Sequence, residues 1–157
     1  MQPAPAAGFA ARRISLHFAV EIAAPPAAIF PLLCPVREHE WLPGWQADVI
    51  CSQSGLAEDN CVFAAENHLF GPAIYYMSRH EPEPGIVQFV IFYPGKAIQK
   101  LDLALAPTQR GTRFSMRRTY TGLSAEGNAA IDRITGPDFR RQSAAFTRAL
   151  ADFCRHP

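Results

Sequence analysis

The sequence predicts an α+β fold in which a seven-stranded, curved antiparallel sheet wraps around a long C-terminal helix, with two short helices between the first strand and the second. Three observations predict it. Apolar residues alternate at period two near the start, six further strand-like runs are divided by Gly and Pro turn signals, and apolar spacing becomes helical towards the end.

The alternation is clearest over 13–23, where Ile14, Leu16, Phe18, Val20 and Ile22 interleave with Ser15, His17, Ala19 and Glu21. That pattern is a strand with one buried face. Ala24-Pro25-Pro26 ends it, because proline has no N–H to give a ladder, and either proline can open a helix. A short helix through Ile29, Phe30, Leu32 and Leu33 follows, and Cys34-Pro35 separates it from a second over 36–41 that stops at Leu42-Pro43-Gly44. Strands are then expected at 45–52, 60–68, 73–80, 86–93, 97–106 and 112–121. Their separators are Ser54-Gly55, Phe70-Gly71-Pro72, the stretch 82–85, Pro94-Gly95 and the stretch 107–111. Ser124 is a candidate N-cap for the last helical region. There Phe139, Ser143, Phe146, Leu150 and Phe153 form one stripe, Ile131 and Ile134 lie upstream, and Gly136-Pro137 should kink or split the helix. A sheet with an apolar face must cover it, and a strongly curved sheet gripping one helix leaves an internal cavity.

The chain has 157 residues, 48% of them hydrophobic and 18% charged, with a net charge of +1. At this length surface scaling buries roughly 69% of the extended chain's surface, which suffices for one core without disulfides or metal. Disorder is excluded on composition, and a dedicated nucleic-acid binder would need a basic surplus. No apolar run approaches the roughly 20 residues of a membrane span, so no stable membrane insertion is expected. Residues 1–11, rich in Ala and Pro, read as a flexible tail rather than a secretory signal, ahead of a single domain over 12–157. Cys34, Cys51, Cys61 and Cys154 lack paired spacing, which makes reduced thiols in a cytoplasm the expectation. No metal-ligand, phosphate-loop or dinucleotide motif is present, and no cofactor is expected.

Three stretches carry a family resemblance: Glu21-Ile22-Ala23-Ala24-Pro25-Pro26 at the end of the first strand, the run from Cys34 through Trp41 to Trp45, and the run from Tyr120 to Asn128 that opens the last helical region. Over about 12–155 the chain resembles the SRPBCC or helix-grip superfamily, which includes START lipid-transfer domains, the major pollen allergens and bacterial polyketide cyclases. The resemblance implies a mostly apolar pocket between sheet and helix, used in the family for lipid or quinone carriage, hormone binding or ring-closing catalysis. It implies no universal catalytic motif. A co-chaperone branch carries a Gly-Trp pair before its final helix, whereas here both tryptophans, Trp41 and Trp45, come early.

Candidate site residues follow from strand phase. On the last strand Phe114 and Met116 mark the inner face, which aims Arg118 and Tyr120 into the cavity unless a bulge reverses the phase and puts Arg117 inside. A buried cation there needs a carboxylate or an anionic ligand head. In the cluster from Arg37 to Trp45, a helical 36–41 would stack Arg37 on Trp41 and pair it with Glu40, while Glu38 or Glu40, if buried, would have a raised pKa. That cluster either fixes the short helices against the sheet or lines the pocket mouth. Either set of alternating residues over 73–80 could face inward. Glu38, Glu66, Tyr76 and Arg118 are the candidate catalytic residues. Candidate ligand contacts are Trp41, Trp45, Phe63, Tyr76, Phe89, Leu101, Leu103, Phe114, Met116, Arg118, Tyr120, Ile131 and Phe139, with Gln88, Phe92, Tyr93 and Gln99 as further polar or aromatic lining and His68 on the strand face of Glu66.

The function expected first is binding of a small hydrophobic or aromatic ligand of lipid, quinone or polyketide type in that cavity. The alternatives are a cyclase, dehydratase or isomerase using pocket acid and base groups, and a protein-interaction module. The run 86–93 is apolar on both faces, and a homodimer that buries the outer face is one explanation.

Overall fold

A computed structural model describes residues 5–157. Its strands are β1 (Arg13–Ile22), β2 (Ala47–Cys51), β3 (Val62–Asn67), β4 (Gly71–Glu81), β5 (Ile86–Tyr93), β6 (Ala97–Thr108) and β7 (Gly111–Gly122). They form one antiparallel sheet in the order β1-β7-β6-β5-β4-β3-β2. From β2 to β7 the sheet is a meander of hairpins, and β1 closes the far side by pairing with β7, Val20 opposite Phe114.

The central strands bury one face, while β2 at the sheet edge is mostly exposed. Val87, Phe89, Ile91 and Tyr93 on β5, Leu101, Leu103 and Leu105 on β6, and Phe114, Met116 and Tyr120 on β7 all turn inward. The β7 ladders to β1 and β6 run without a register shift, so Arg118 keeps the inner phase and Arg117 points out. In β4 the inner set is Tyr75 and Met77, and a bulge at Ser78 then changes the phase. His80 thereby comes back over Phe30, their rings 4.9 Å apart. Ile74, Tyr76 and Phe92 lie on the outer face, each more than a third exposed.

Between β1 and β2 the chain forms α1 (Pro26–Ile29), a 3-10 turn at Phe30–Leu32 and a second at Glu38–Glu40. The expected helix over 36–41 is only this one turn. Cys34 O accepts both Arg37 N and Glu38 N, and Leu42 N returns to Glu38 O, leaving no room for a longer run. Arg37 pairs with Glu40 at 2.8 Å, as the i, i+3 spacing predicts. Trp41 instead donates its indole N–H to Leu32 O and meets Phe146 edge-on.

Gly136-Pro137 splits the C-terminal helix rather than kinking it. The pieces are α2 (Ala125–Asp132), capped by Ser124 Oγ, and α3 (Gly136–Arg155), capped by Thr135 Oγ1. Proline in the first turn of α3 costs no backbone bond, since that N–H would be unpaired anyway. Phe139, Ser143, Thr147 and Leu150 are the buried residues of α3. Phe146 meets the inner face of β7 at Phe114. The chain enters the fold at Ala10, whose carbonyl accepts Asn128 Nδ2 while Asn128 Oδ1 accepts Arg12 N. Among the described residues no helix is long and apolar enough to cross a membrane.

Candidate ligand cavity

A cavity of about 240 Å³ lies between β7, the β3–β4 turn and the start of α3, bordered by Arg118, Tyr120, Phe70, Ile134, Phe139 and Ser143. The β3–β4 turn is folded back by Asn67, whose Oδ1 accepts Leu69 N at 2.7 Å and Phe70 N at 2.9 Å, a side chain standing in for a backbone turn partner. That turn drives the Phe70 ring over the sheet. It stacks on Tyr93 at 4.5 Å and on Tyr120 at 5.8 Å, tilted 22° and 21°. β6 runs between those two tyrosines, with Ala97 opposite Tyr93 and Gln99 opposite Tyr120. The small Ala97 side chain leaves the gap that the Phe70 ring fills.

The wall is mixed, with His68, Arg118, Arg133, Asp138 and Gln142 beside the rings and aliphatic side chains. Tyr93 donates its hydroxyl to Gln99 Oε1 at 2.7 Å, which turns the Gln99 Nε2 away. That nitrogen is fully buried and has no partner. Leaving a buried donor unpaired costs about 1–3 kcal/mol. Among the described residues the Arg118 guanidinium forms neither a hydrogen bond nor an ion pair. Arg133 also borders the cavity, and the carboxylate there, Asp138, is already held by Arg141.

Glu38 approaches from the 3-10 turn. The residue is half-buried and does not itself border the cavity. Burial pushes its pKa up to about 7, opposed by the Arg118 charge. Tyr75 lies in the same field. Burial raises its hydroxyl to about 12 against the pull of Arg118, and Glu38 adds to the rise. Burial likewise raises Tyr93. The arrangement can hold a proton on a carboxyl at neutral pH beside an unpaired cation, and it can receive an anionic oxygen.

Neither a family model nor a curated protein matches this sequence significantly. Among solved structures, norcoclaurine synthase from Thalictrum flavum superposes with a TM-score of 0.69 over 94% of this chain and 89% of that one, at 14% identity. Ara h 8.0201 gives a TM-score of 0.66 at 11% identity, covering 93% of this chain and 100% of that one. The chain has the helix-grip fold of these structures. An uncharacterised protein from Rhizobium leguminosarum gives 0.64 at 15% identity, covering 94% and 98%. A further norcoclaurine synthase structure holds dopamine and hydroxybenzaldehyde. At these identities the likeness concerns the fold.

Within this helix-grip frame the four candidate catalytic residues do not converge. Glu38 and Arg118 come together, while Glu66 and Tyr76 stand on the outer face, where the Tyr76 hydroxyl donates to Asn60 Oδ1 at 2.5 Å. The cause is the phase of β3 and β4: Phe63 and Ala65 pair with Tyr75 and Ala73 on the inner side, which forces Glu66 and Tyr76 out. Glu66 instead borders a separate hollow of about 510 Å³ with Asp48, Ala64 and Ile74, largely on the convex side of the sheet. Of the expected ligand contacts, Arg118, Tyr120 and Phe139 border the cavity. Phe63, Phe89, Leu101, Leu103, Phe114, Met116 and Ile131 are buried core instead. Trp41 and Trp45 brace the segment between β1 and β2, Trp45 by donating to Pro35 O at 2.7 Å with its ring edge-on to Tyr75. His68 does border the cavity. Sequence reading passed over Phe70, which it took as turn punctuation; the signal available was Asn67 three residues earlier.

Proposed function

We propose that the chain binds a small hydrophobic or aromatic molecule in the cavity between β7, the β3–β4 turn and α3. The observation that supports it most is a cavity walled by Phe70, Tyr120, Ile134 and Phe139 together with polar groups, among them the half-buried Arg118 guanidinium, which has no partner among the described residues. Of the lipid, quinone and polyketide types, a volume of about 240 Å³ favours a body of one ring over a long acyl chain or several fused rings, since pockets for drug-sized ligands measure about 300–1,000 Å³. Native mass spectrometry of the protein purified from its own host tests the reading. A stoichiometric adduct of low mass is the expected result. An adduct-free protein that also ignores neutral and anionic aromatic probes overturns it.

A second reading, acid–base catalysis of the isomerase, cyclase or dehydratase kind, is favoured by the Glu38 carboxyl titrating near 7 beside Arg118. In that reading the Glu38 carboxylate takes a proton from the carbon next to a substrate carbonyl, Arg118 holds the enolate oxygen, and the proton returns to the same carbon or another. Deuterium incorporation into an aryl ketone such as phenylacetone, followed by NMR in D2O, is expected to be lost in Glu38→Gln. No exchange with the wild-type chain rules out this route.

A further inference from the structure

We infer that the cavity is built for a small aromatic carboxylate, whose ring takes the slot now filled by Phe70 and whose carboxylate is received by Arg118 and Gln99. This assignment rests on the binding reading and gives its ligand a chemical class.

The ring slot is seen in use. Phe70 lies nearly parallel to both Tyr93 and Tyr120, held there by a turn rather than by a strand ladder. Any flat ring of similar size gains the same two stacking contacts. Because Phe70 itself borders the cavity, a guest that displaces it enlarges the space it enters.

The headgroup is dictated by unmet hydrogen-bond donors. Arg118 borders the cavity and Gln99 does not, but the two share the inner face of adjacent strands, Gln99 opposite Tyr120 and Arg118 two residues before it, so a guest that displaces the Phe70 ring from Tyr93 and Tyr120 comes next to Gln99. Diagonal neighbours of this kind are about 7–8 Å apart at the backbone, within reach of long side chains. The Tyr93 hydroxyl occupies the acceptor end of the Gln99 amide, so what remains for a guest is a pair of N–H donors. Arg118 offers further donors and a positive charge. Acceptor oxygens with a negative charge satisfy both, and a carboxylate supplies two of them. An alcohol or amine head would leave the cation unmatched.

The test is a calorimetric titration of the full chain with phenylacetate, phenylacetamide, octanoate and indole. Phenylacetate is expected to bind at least tenfold tighter than the isosteric amide and tighter than octanoate. Phe70→Ala should tighten phenylacetate severalfold by removing the internal competitor. Arg118→Gln and Gln99→Met should each shrink the acid-over-amide preference, and Arg117→Gln, on the outer face of the same strand, should not. Equal binding of acid and amide, or preference for octanoate, overturns this inference and leaves the wider reading intact. Loss of the preference in Arg133→Gln but not in Arg118→Gln overturns it too. Failure of indole and phenylacetate alike overturns both. The acid-to-amide ratio is read on the unaltered chain, so a variant that does not fold leaves the test decisive.

Discussion

At the scale of single residues, Glu38 dominates. An acid whose folded pKa lies above its unfolded value keeps its proton in the folded state while the unfolded chain gives it up. Its stabilising contribution is complete below about 4.5 and is lost as pH rises towards 7. The loss amounts to as much as about 3 kcal/mol. Urea unfolding at pH 4.5 and 7.5 should show this fall in the wild type and a much smaller one in Glu38→Gln; matching profiles would place the carboxyl in ordinary solvent. Tyr93 and Gln99 give a second prediction. Tyr93→Phe strips the Gln99 amide of its one partner and should cost about 1–3 kcal/mol. Adding Gln99→Leu removes the stranded amide, so the double variant should be more stable than the sum of the single effects. Strict additivity would mean that the two groups do not interact. Arg118 was legible in the sequence because β7 is apolar on one face only, and Phe114 with Met116 fixes its phase. Tyr75 was not, because Ile74 and Tyr76 are as apolar as Tyr75 and Met77. The choice between the two sets is made by pairing with β3 and β5, whose registers the alternation within β4 does not contain.

Among the elements, the strands were legible almost to the residue: 86–93 coincides with β5, and 97–106 falls within β6. Gly and Pro turns are local chemistry, so they survive folding unchanged. The 36–41 segment was not legible, because its backbone bonds are decided by carbonyls such as Cys34 O that also serve the turn before it. The junction of α2 with the sheet carries its own prediction. Gly127 lies so close to the β5–β6 turn that an added Cβ would sit 1.6 Å from Lys96 O, a backbone atom. Leu123 N donates to the same carbonyl, so the turn cannot retreat without losing that bond. Gly127→Ala should therefore destabilise by several kcal/mol or abolish the folded state, measured by thermal melting beside Ala129→Gly, an exposed site on the same helix that should cost about 1 kcal/mol. Equal, small effects would mean that α2 is loosely attached.

For the whole molecule, binding and stability are one quantity. A ligand that favours the folded state adds about 2.7 kcal/mol at a hundred times its dissociation constant. Phenylacetate at that excess should raise the melting midpoint of this chain by several degrees, the shift vanishing in Arg118→Gln; a rise of equal size in the variant would place the guest elsewhere. The topology has a different kind of consequence, one of timing. β1 is the first strand made, and its sole neighbour in the sheet, β7, is almost the last. On the ribosome the hairpins from β2 to β6 can zip as they emerge, each from nearby chain, while the opening strand waits with its backbone unpaired and one greasy edge bare until about a hundred further residues have been joined. During that wait it is the segment a chaperone would hold, and the place where two nascent chains would first stick together.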